Sequence, residues 1–479
     1  MQQRSPVIHW FRQDLRLADN PALSAAARSD QPVIPVYILD PAPGPGCGAG
    51  GAGRWWLHHS LARLAAALEA LGAPLILRRG PTELVLAELV KATGANAIHY
   101  MRSHDPCGRA VEQAVRLRLG NDIELRSRPG YLLFEPEQIA TREGRPFKVF
   151  TPFWKACRQQ AEPPAPLPAP KALRGPDLAI LSDTLDELAL LPRRPDWTVG
   201  LAETWNPGED GAQAALQQFT GSALGDYASG RDLPDRNGTS RLSPRLHFGE
   251  ISPRQVWDAV RQANAGNPKS IVGGEAFLRQ LGWREFSAHL LFHWPEIARQ
   301  PLRREFRHMP WRNDERALRL WQKGLTGYPI VDAGMRELWQ TGWMHNRVRM
   351  IAASFLVKDL LISWQTGEDW FRDTLVDADA ANNLVSWQWV AGCGADAAPF
   401  FRIFNPTLQG RRFDPAGVYV RRWIPELAGI PDRLVHTPWQ APAEIMETAG
   451  IGTSYPLPCI DHGEARLRAL AAYKALRAN

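Results

Sequence analysis

Through the first 130 residues, short runs of consecutive apolar residues alternate with longer stretches of helical period. PVIHWF (6–11), PVIPVYIL (32–39), APLILRR (73–79), NAIHYM (96–101) and IELRS (123–127) read as buried strands. Between them, RWWLHHSLARLAAALEALG (54–72) and PTELVLAELVKATG (81–94) repeat apolar residues at helical spacing. The second opens on Pro and closes on Gly, the residues favoured at a helix start and just past its end. This alternation predicts a doubly wound α/β unit with a parallel sheet over residues 1–130. The Pro-rich AEPPAPLPAPKALRGP (161–176) predicts an extended connector within 131–204. From about residue 205 to 479 the strand pattern gives way to helical periods, as in EAFLRQLGWREFSAHLLFHW (275–294) and NRVRMIAASFLVKDLLI (346–362). TGYPIVD opens a further helix that Gly342 closes. TGEDWFRDTL (366–375) reads as a capped start with acid in its first turn. The second half is expected to be all-α.

A chain of 479 residues exceeds one average core, so at least two domains are expected. Hydrophobic residues at 44% and charged residues at 22% fit a soluble globular protein. No apolar run reaches the roughly 18 residues of a membrane span. The opening MQQRSPVIHWFRQDLRL has no secretory pattern, so a cytoplasmic chain with no membrane partner is expected. Five scattered cysteines without a CxxC pair read as reduced packing thiols, and no metal set accompanies them. A net charge of +6 and a pI near 9.2 favour a polyanionic partner. GCGAGG (46–51) fits a dinucleotide fingerprint, but it lies in a low-complexity loop after the second strand and reads as that loop. Of the 19 tryptophans, all but Trp10, Trp55 and Trp56 fall after residue 150. They serve either as aromatic core or as stacking and electron-transfer groups.

Four stretches carry candidate chemistry. TSRLSPRLHFGEISP (239–253) sets hydroxyls and consecutive N–H groups beside Arg241, as a phosphate cradle or as a helix cap. GWREFSAHL (282–290) follows Gln280, which shares a helix face with Arg284; Trp283 stacks on a base or fills a core. In GWMHNRVRMIAASF (342–355), Asn346, Arg349 and Met350 share a face that is either a ligand wall or solvated. DADAANNLVSWQW (377–389) sets Asp377, Asp379 and Asn383 before Trp387 and Trp389. Buried carboxylates need partners, here an arginine, a nitrogen-rich heterocycle, or both.

In order along the chain, WFRQDLRLADNPAL (10–23), TSRLS, GWREF, TGYPIVDAGMRELWQTGWMHNRVRMIAASFLVKDLL, DADAANNLVSWQW and DAAPFFRIFNPTLQG resemble the motifs of the DNA photolyases and cryptochromes. The resemblance spans nearly the whole chain. It implies an N-terminal α/β domain and a helical domain holding FAD. Tyr227, Thr239, Ser240, Arg241, Leu242 and Ser243 would hold its phosphates and ribose. Asn346, Arg349, Asp377, Asp379 and Asn383 would hold the rest, with Arg349 paired to Asp377 and Asn383 at the flavin N5. Trp387, Trp364 and Trp311 would relay electrons to the flavin, while Trp321 and Trp339 would be core. Arg231, Gln280, Trp283, Arg284, Asn346, Arg347, Met350, Trp389 and Gln409, with Arg402, would face UV-damaged DNA. The implied activity is that of a deoxyribodipyrimidine photo-lyase, a blue-light enzyme acting as a monomer.

Two positions depart from that pattern. Cyclobutane-dimer photolyases usually carry Glu where this chain has Gln280; an amide donates a hydrogen bond but supplies no proton. The 6-4 photolyases carry Gln there, yet their histidine pair is not found beside His345. Weakened dimer repair, a 6-4 preference and a cryptochrome-like photoreceptor therefore stay open. A dark flavin oxidoreductase is a third class, without a substrate base in the sequence. Near SHDPCGRAVE (103–112), Cys107 stands at or near the expected folate-holding acid, with Asp105 and Glu112 as substitutes. A methenyltetrahydrofolate antenna is favoured over a deazaflavin or none.

Overall fold

A computed structural model describes residues 5–41 and 47–478. The chain divides into two compact units, Met1–Gly225 with Ser240–Pro295, and Asp226–Thr239 with Glu296–Asn479.

The first unit is built on five parallel strands: β1 (Val7–Phe11), β2 (Val33–Leu39), β3 (Ile76–Arg79), β4 (Ala97–Met101) and β5 (Glu124–Arg128). Their order is β3-β2-β1-β4-β5, with Val7 opposite both Val33 and Ala97. All five residues of β1 and of β4 are buried, which is why their sequences lack polar alternation; β5, expected to be buried as well, is an edge strand with exposed ends and a half-buried middle. His9 and His99 lie within these strands, and burial pushes them down to about 3 and about 4, so both are neutral at pH 7. Ile8, Ile34, Val36, Leu86 and Ile98 form the core beneath. The crossovers begin with α1 (Pro21–Ala27), α2 (Gly51–Ala70), α3 (Thr82–Thr93) and α4 (Pro106–Leu119). Gly94 ends α3 at φ 67°, in the left-handed region the sequence predicts for it. The Pro-rich connector is pinned along this layer: Arg174 O accepts from Val33 N, and Leu173 N and Asp183 N donate to Leu71 O and Leu77 O.

Two expectations are corrected here. Cys47 and Cys107 form a disulfide across a separation of 60 residues; Cys157 and Cys393 are buried free thiols and Cys459 is an exposed one. The pair follows from topology, since the loops after β2 and β4 emerge at the same C-terminal edge of a parallel sheet. The glycine-rich loop lies partly outside the described residues, and its last glycine, Gly51, starts α2.

The second unit is helical as expected. Helix Pro329–Thr341 ends at Gly342, φ 66°. The stretch 346–362 is not one helix: the α-helix stops at Ser354 and a wider turn runs Phe355–Asp359. Helix Trp364–Thr374 starts two residues before Thr366, because the Ser363 hydroxyl accepts from Gln365 N. Among the described residues, no helix is long and apolar enough to cross a membrane.

Candidate cofactor site

Asp379 caps helix Ala380–Ala391, its Oδ1 accepting from Asn382 N at 2.8 Å and from the Asn382 amide at 2.8 Å. That start turns Asn383 and Trp387, one helical turn apart, inward together. Asp377 is almost sealed from solvent. It accepts from Arg349 at 2.9 Å, and Arg349 Nε is anchored on Met344 O at 2.7 Å. The buried carboxylate thus has a cation from 28 residues away. Asn383 donates its amide N–H to Glu368, at 2.8 Å to Oε1 and 3.2 Å to the main-chain oxygen. Its carbonyl oxygen is therefore the group left to accept from a ligand. Glu368 escaped the sequence reading, because its partner comes from another helix and its own stretch looked like an acidic first turn. Burial pushes its carboxyl above the usual range, opposed by Arg372 and the Asn383 bond.

Trp387 and Trp364 are each 2% exposed, and Trp311 is half-buried. The Trp387 indole packs flush on Gly367, where an added Cβ would lie 2.2 Å from the ring. Gly367 and Trp364 are three apart on one helix and share a face. Trp364 and Trp311 line a common cleft. The three indoles therefore run from the interior to an accessible edge. Trp321 is core as expected, its indole N–H donating to Ala352 O at 3.0 Å. Trp339 is not: it is 58% exposed and stacks on Trp370 with centroids 6.1 Å apart, because its helix turns that position outward.

Helix Asn346–Ser354 carries the polar face. Asn346 is exposed, and its amide lies 4.0 Å from Met350 Sδ. Arg347 pairs with Asp232 at 2.8 Å and lies over the Phe413 ring at 4.4 Å. His345 Nδ1 accepts from Arg347 N at 3.2 Å; burial holds this imidazole down at about 4, hence neutral. Arg231 lies over the Tyr227 ring at 5.5 Å, and that ring is buried. Trp389 and Gln409 are half-buried and Arg402 is exposed.

The first unit holds the remaining expected residues. Gln280 is half-buried, its amide N 3.3 Å from Ala276 O. Trp283 stacks on Phe150, 3.8 Å apart and 5° from parallel. Arg284, expected to face DNA, is turned inward: it is buried, donates to Tyr131 O at 2.9 Å and contacts Glu285 at 3.3 Å. The buried Glu285 carboxylate, which also accepts from Leu133 N and Phe134 N, explains that orientation. The cap reading for Thr239–Ser243 is not met. Leu242 precedes a short helix with no side-chain bond. Instead Ser240 Oγ accepts from Leu242 N at 3.3 Å, and Arg241 takes φ 50°.

A parallel α/β unit followed by a helical unit that holds a buried acid–arginine pair, an oriented amide and two sealed indoles is an arrangement suited to a planar heterocycle. Comparison with known proteins agrees. Residues 277–475 match the family described as the FAD binding domain of DNA photolyase, and residues 7–171 match DNA photolyase. The deoxyribodipyrimidine photo-lyase of Agrobacterium fabrum is 50% identical over 478 residues, covering 99% of this chain and 98% of that one. Cryptochrome-1 of Arabidopsis thaliana is 39% identical over 475 residues, 96% of this chain and 69% of that protein. The crystal structure of a bacterial class III photolyase from Agrobacterium tumefaciens superposes with TM-score 0.96 at 49% identity, covering 100% of this chain and 99% of that one. The chain belongs to the DNA photolyase and cryptochrome family.

Proposed function

We propose that this chain is an FAD-dependent enzyme that uses blue light to revert pyrimidine dimers in DNA. The carrying observation is Trp387, buried on the helix that also presents Asn383 and packed against the helix that carries Trp364. FAD, when bound there, would supply light-driven one-electron chemistry to the dimer. The residues fit that group. Asp377, held by Arg349, and the free face of Asn383 offer acceptors to ring N–H donors. Asp379, Asn346, Tyr227 and Thr239, together with the Ser240, Arg241, Leu242 and Ser243 turn, supply its polar contacts. Trp387, Trp364 and Trp311 pass electrons inward.

Arg231, Arg347 and Arg402 grip phosphates, while Trp283 and Trp389 wall the flipped dimer. Asn346, Met350 and Gln409 complete that face. Gln280 donates its amide to a dimer carbonyl. Arg284 is left out because its guanidinium is committed inside. The reading divides the chain by role into 1–130, a connector 131–204 and a flavin and DNA part 205–479. It also takes the protein as a cytoplasmic monomer. Neither candidate holder of a folate antenna has its carboxylate unbonded: Asp105 caps α4, and Glu112 is bonded to Arg12 and to Ser103 N.

Gln280 favours a second reading, a cryptochrome-like photoreceptor with little cyclobutane repair or an enzyme for 6-4 lesions. The test is light-driven reversal on oligonucleotides carrying each lesion separately. Cyclobutane reversal is expected, and Gln280→Glu should raise it. Binding of FAD with no reversal of either lesion would select the photoreceptor.

A further inference from the structure

The outer end of the indole series opens into a cleft of about 480 Å3 lined by Arg299, Gln300, Phe306, Arg307, Trp311 and Trp364, with Pro301, Ser363 and Gln365. That size falls within the roughly 300–1,000 Å3 of small-molecule sites. No acid lines it. Two acids close in the chain are taken by other arginines: Glu305 by Arg303 at 2.7 Å and Asp314 by Arg312 at 3.2 Å. Arg299 and Arg307 form no ion pair among the described residues, and Arg307 is steadied by the Gln300 side chain. The walls are rigid. Gln388, next to Trp387, donates to Ile297 O at 2.9 Å and Gln300 O at 3.1 Å and accepts from Leu302 N at 3.0 Å. Arg312 N donates to Leu361 O at 2.7 Å, holding the Trp311 segment to the one before Trp364. The result is a half-exposed indole beside two guanidinium groups that have no carboxylate partner among the described residues.

We propose that this cleft is a docking site for a planar, oxidisable organic anion, of the enediolate or hydroxyaromatic carboxylate class, which re-reduces Trp311. The proposal rests on the relay reading above and adds the donor to it. The anion's plane lies on the indole and its charge meets Arg299 and Arg307. After Trp311 has passed an electron inward and its N–H proton to water, it is a neutral indolyl radical. The bound anion AH⁻ gives it one electron and one proton. The Trp311 N–H bond re-forms, the donor's O–H bond breaks, and the donor leaves as the radical anion A•⁻.

The test uses the full-length protein with FAD bound, ascorbate as probe and benzoate as a non-reducing competitor. In the dark, saturation-transfer NMR should show saturable ascorbate binding that benzoate displaces. The Arg299→Gln, Arg307→Gln double variant should weaken it by about tenfold or more, as expected for two charge-assisted contacts. After a flash, the indolyl signal should recover at a rate that saturates with ascorbate in the wild type and rises linearly in the double variant. Linear recovery in both proteins, or dark binding untouched by the double substitution, overturns the site. Trp311→Phe separates the two readings. Loss of the long-lived indolyl signal there, with unsaturable recovery in the wild type, keeps the relay and discards the cleft. An indolyl signal unchanged by Trp311→Phe discards the relay and the docking proposal with it.

Discussion

Arg349 shows how much one side chain can decide. Its guanidinium pairs with a carboxylate of 3% exposure, and removing one member of a sealed pair costs more than the pair contributes. Arg349→Ala should therefore destabilise the helical unit by about 3 kcal/mol. FAD absorbance per chain should fall with it, while Asp377→Asn in the same background should recover part of the stability in a denaturant titration. His345 sets a pH dependence of known sign. Its folded pKa of about 4 is below the ordinary 6.5 because burial disfavours the cation. Its contribution to stability is complete above pH 6.5 and is lost as pH falls through 4. Melting followed from pH 7 to 4 should show a drop that His345→Asn reduces. Glu285 has the opposite sign: burial raises it to about 7, so its contribution is full below about 4.5 and lost as pH rises through 7.

At the scale of elements, the loop after β2 and the first turn of α4, which follows β4, carry the Cys47–Cys107 bond. A cross-link closing 60 residues restricts the unfolded chain by up to about 4 kcal/mol. Reduction, or Cys47→Ser, should lower the melting temperature of the α/β unit, and calorimetry with and without dithiothreitol will read it. FAD content should stay unchanged, because the helical unit carries no part of that bond. Helix Trp364–Thr374 ties two roles together. Ser363 sets its start, which places Trp364, Gly367 and Glu368 successively on the indole, the packing surface and the Asn383 amide. Gly367→Ala would drive a methyl group into the Trp387 ring. It should slow photoreduction of bound FAD while leaving repair by chemically reduced protein largely intact, a split seen by comparing the two starting states.

For the whole molecule, an excess of six positive charges predicts salt-sensitive binding to DNA. Replacing Arg347 with Ala should weaken binding to damaged and intact duplex alike and reduce the slope of log K against log salt by about 1. Trp389→Phe should lower the preference for damaged over intact DNA and leave that slope alone. Much of the architecture was legible beforehand. Buried parallel strands announce themselves as unbroken apolar runs, and Gly94 and Gly342 end helices because only the left-handed conformation closes them there. Motif order carried the family. Local pattern missed what depends on partners distant in the chain. The Cys47–Cys107 bond needed the strand order, the inward turn of Arg284 needed the Tyr131 carbonyl from 153 residues away, and the orientation of Asn383 needed Glu368 from another helix. The sequence by itself thus determined the elements, the α/β-then-helical plan and the residue types a flavin requires. Tertiary structure alone decided which acid meets which base, which indole is sealed and which reaches the surface, because burial and pairing depend on contacts that periodicity along one chain does not encode.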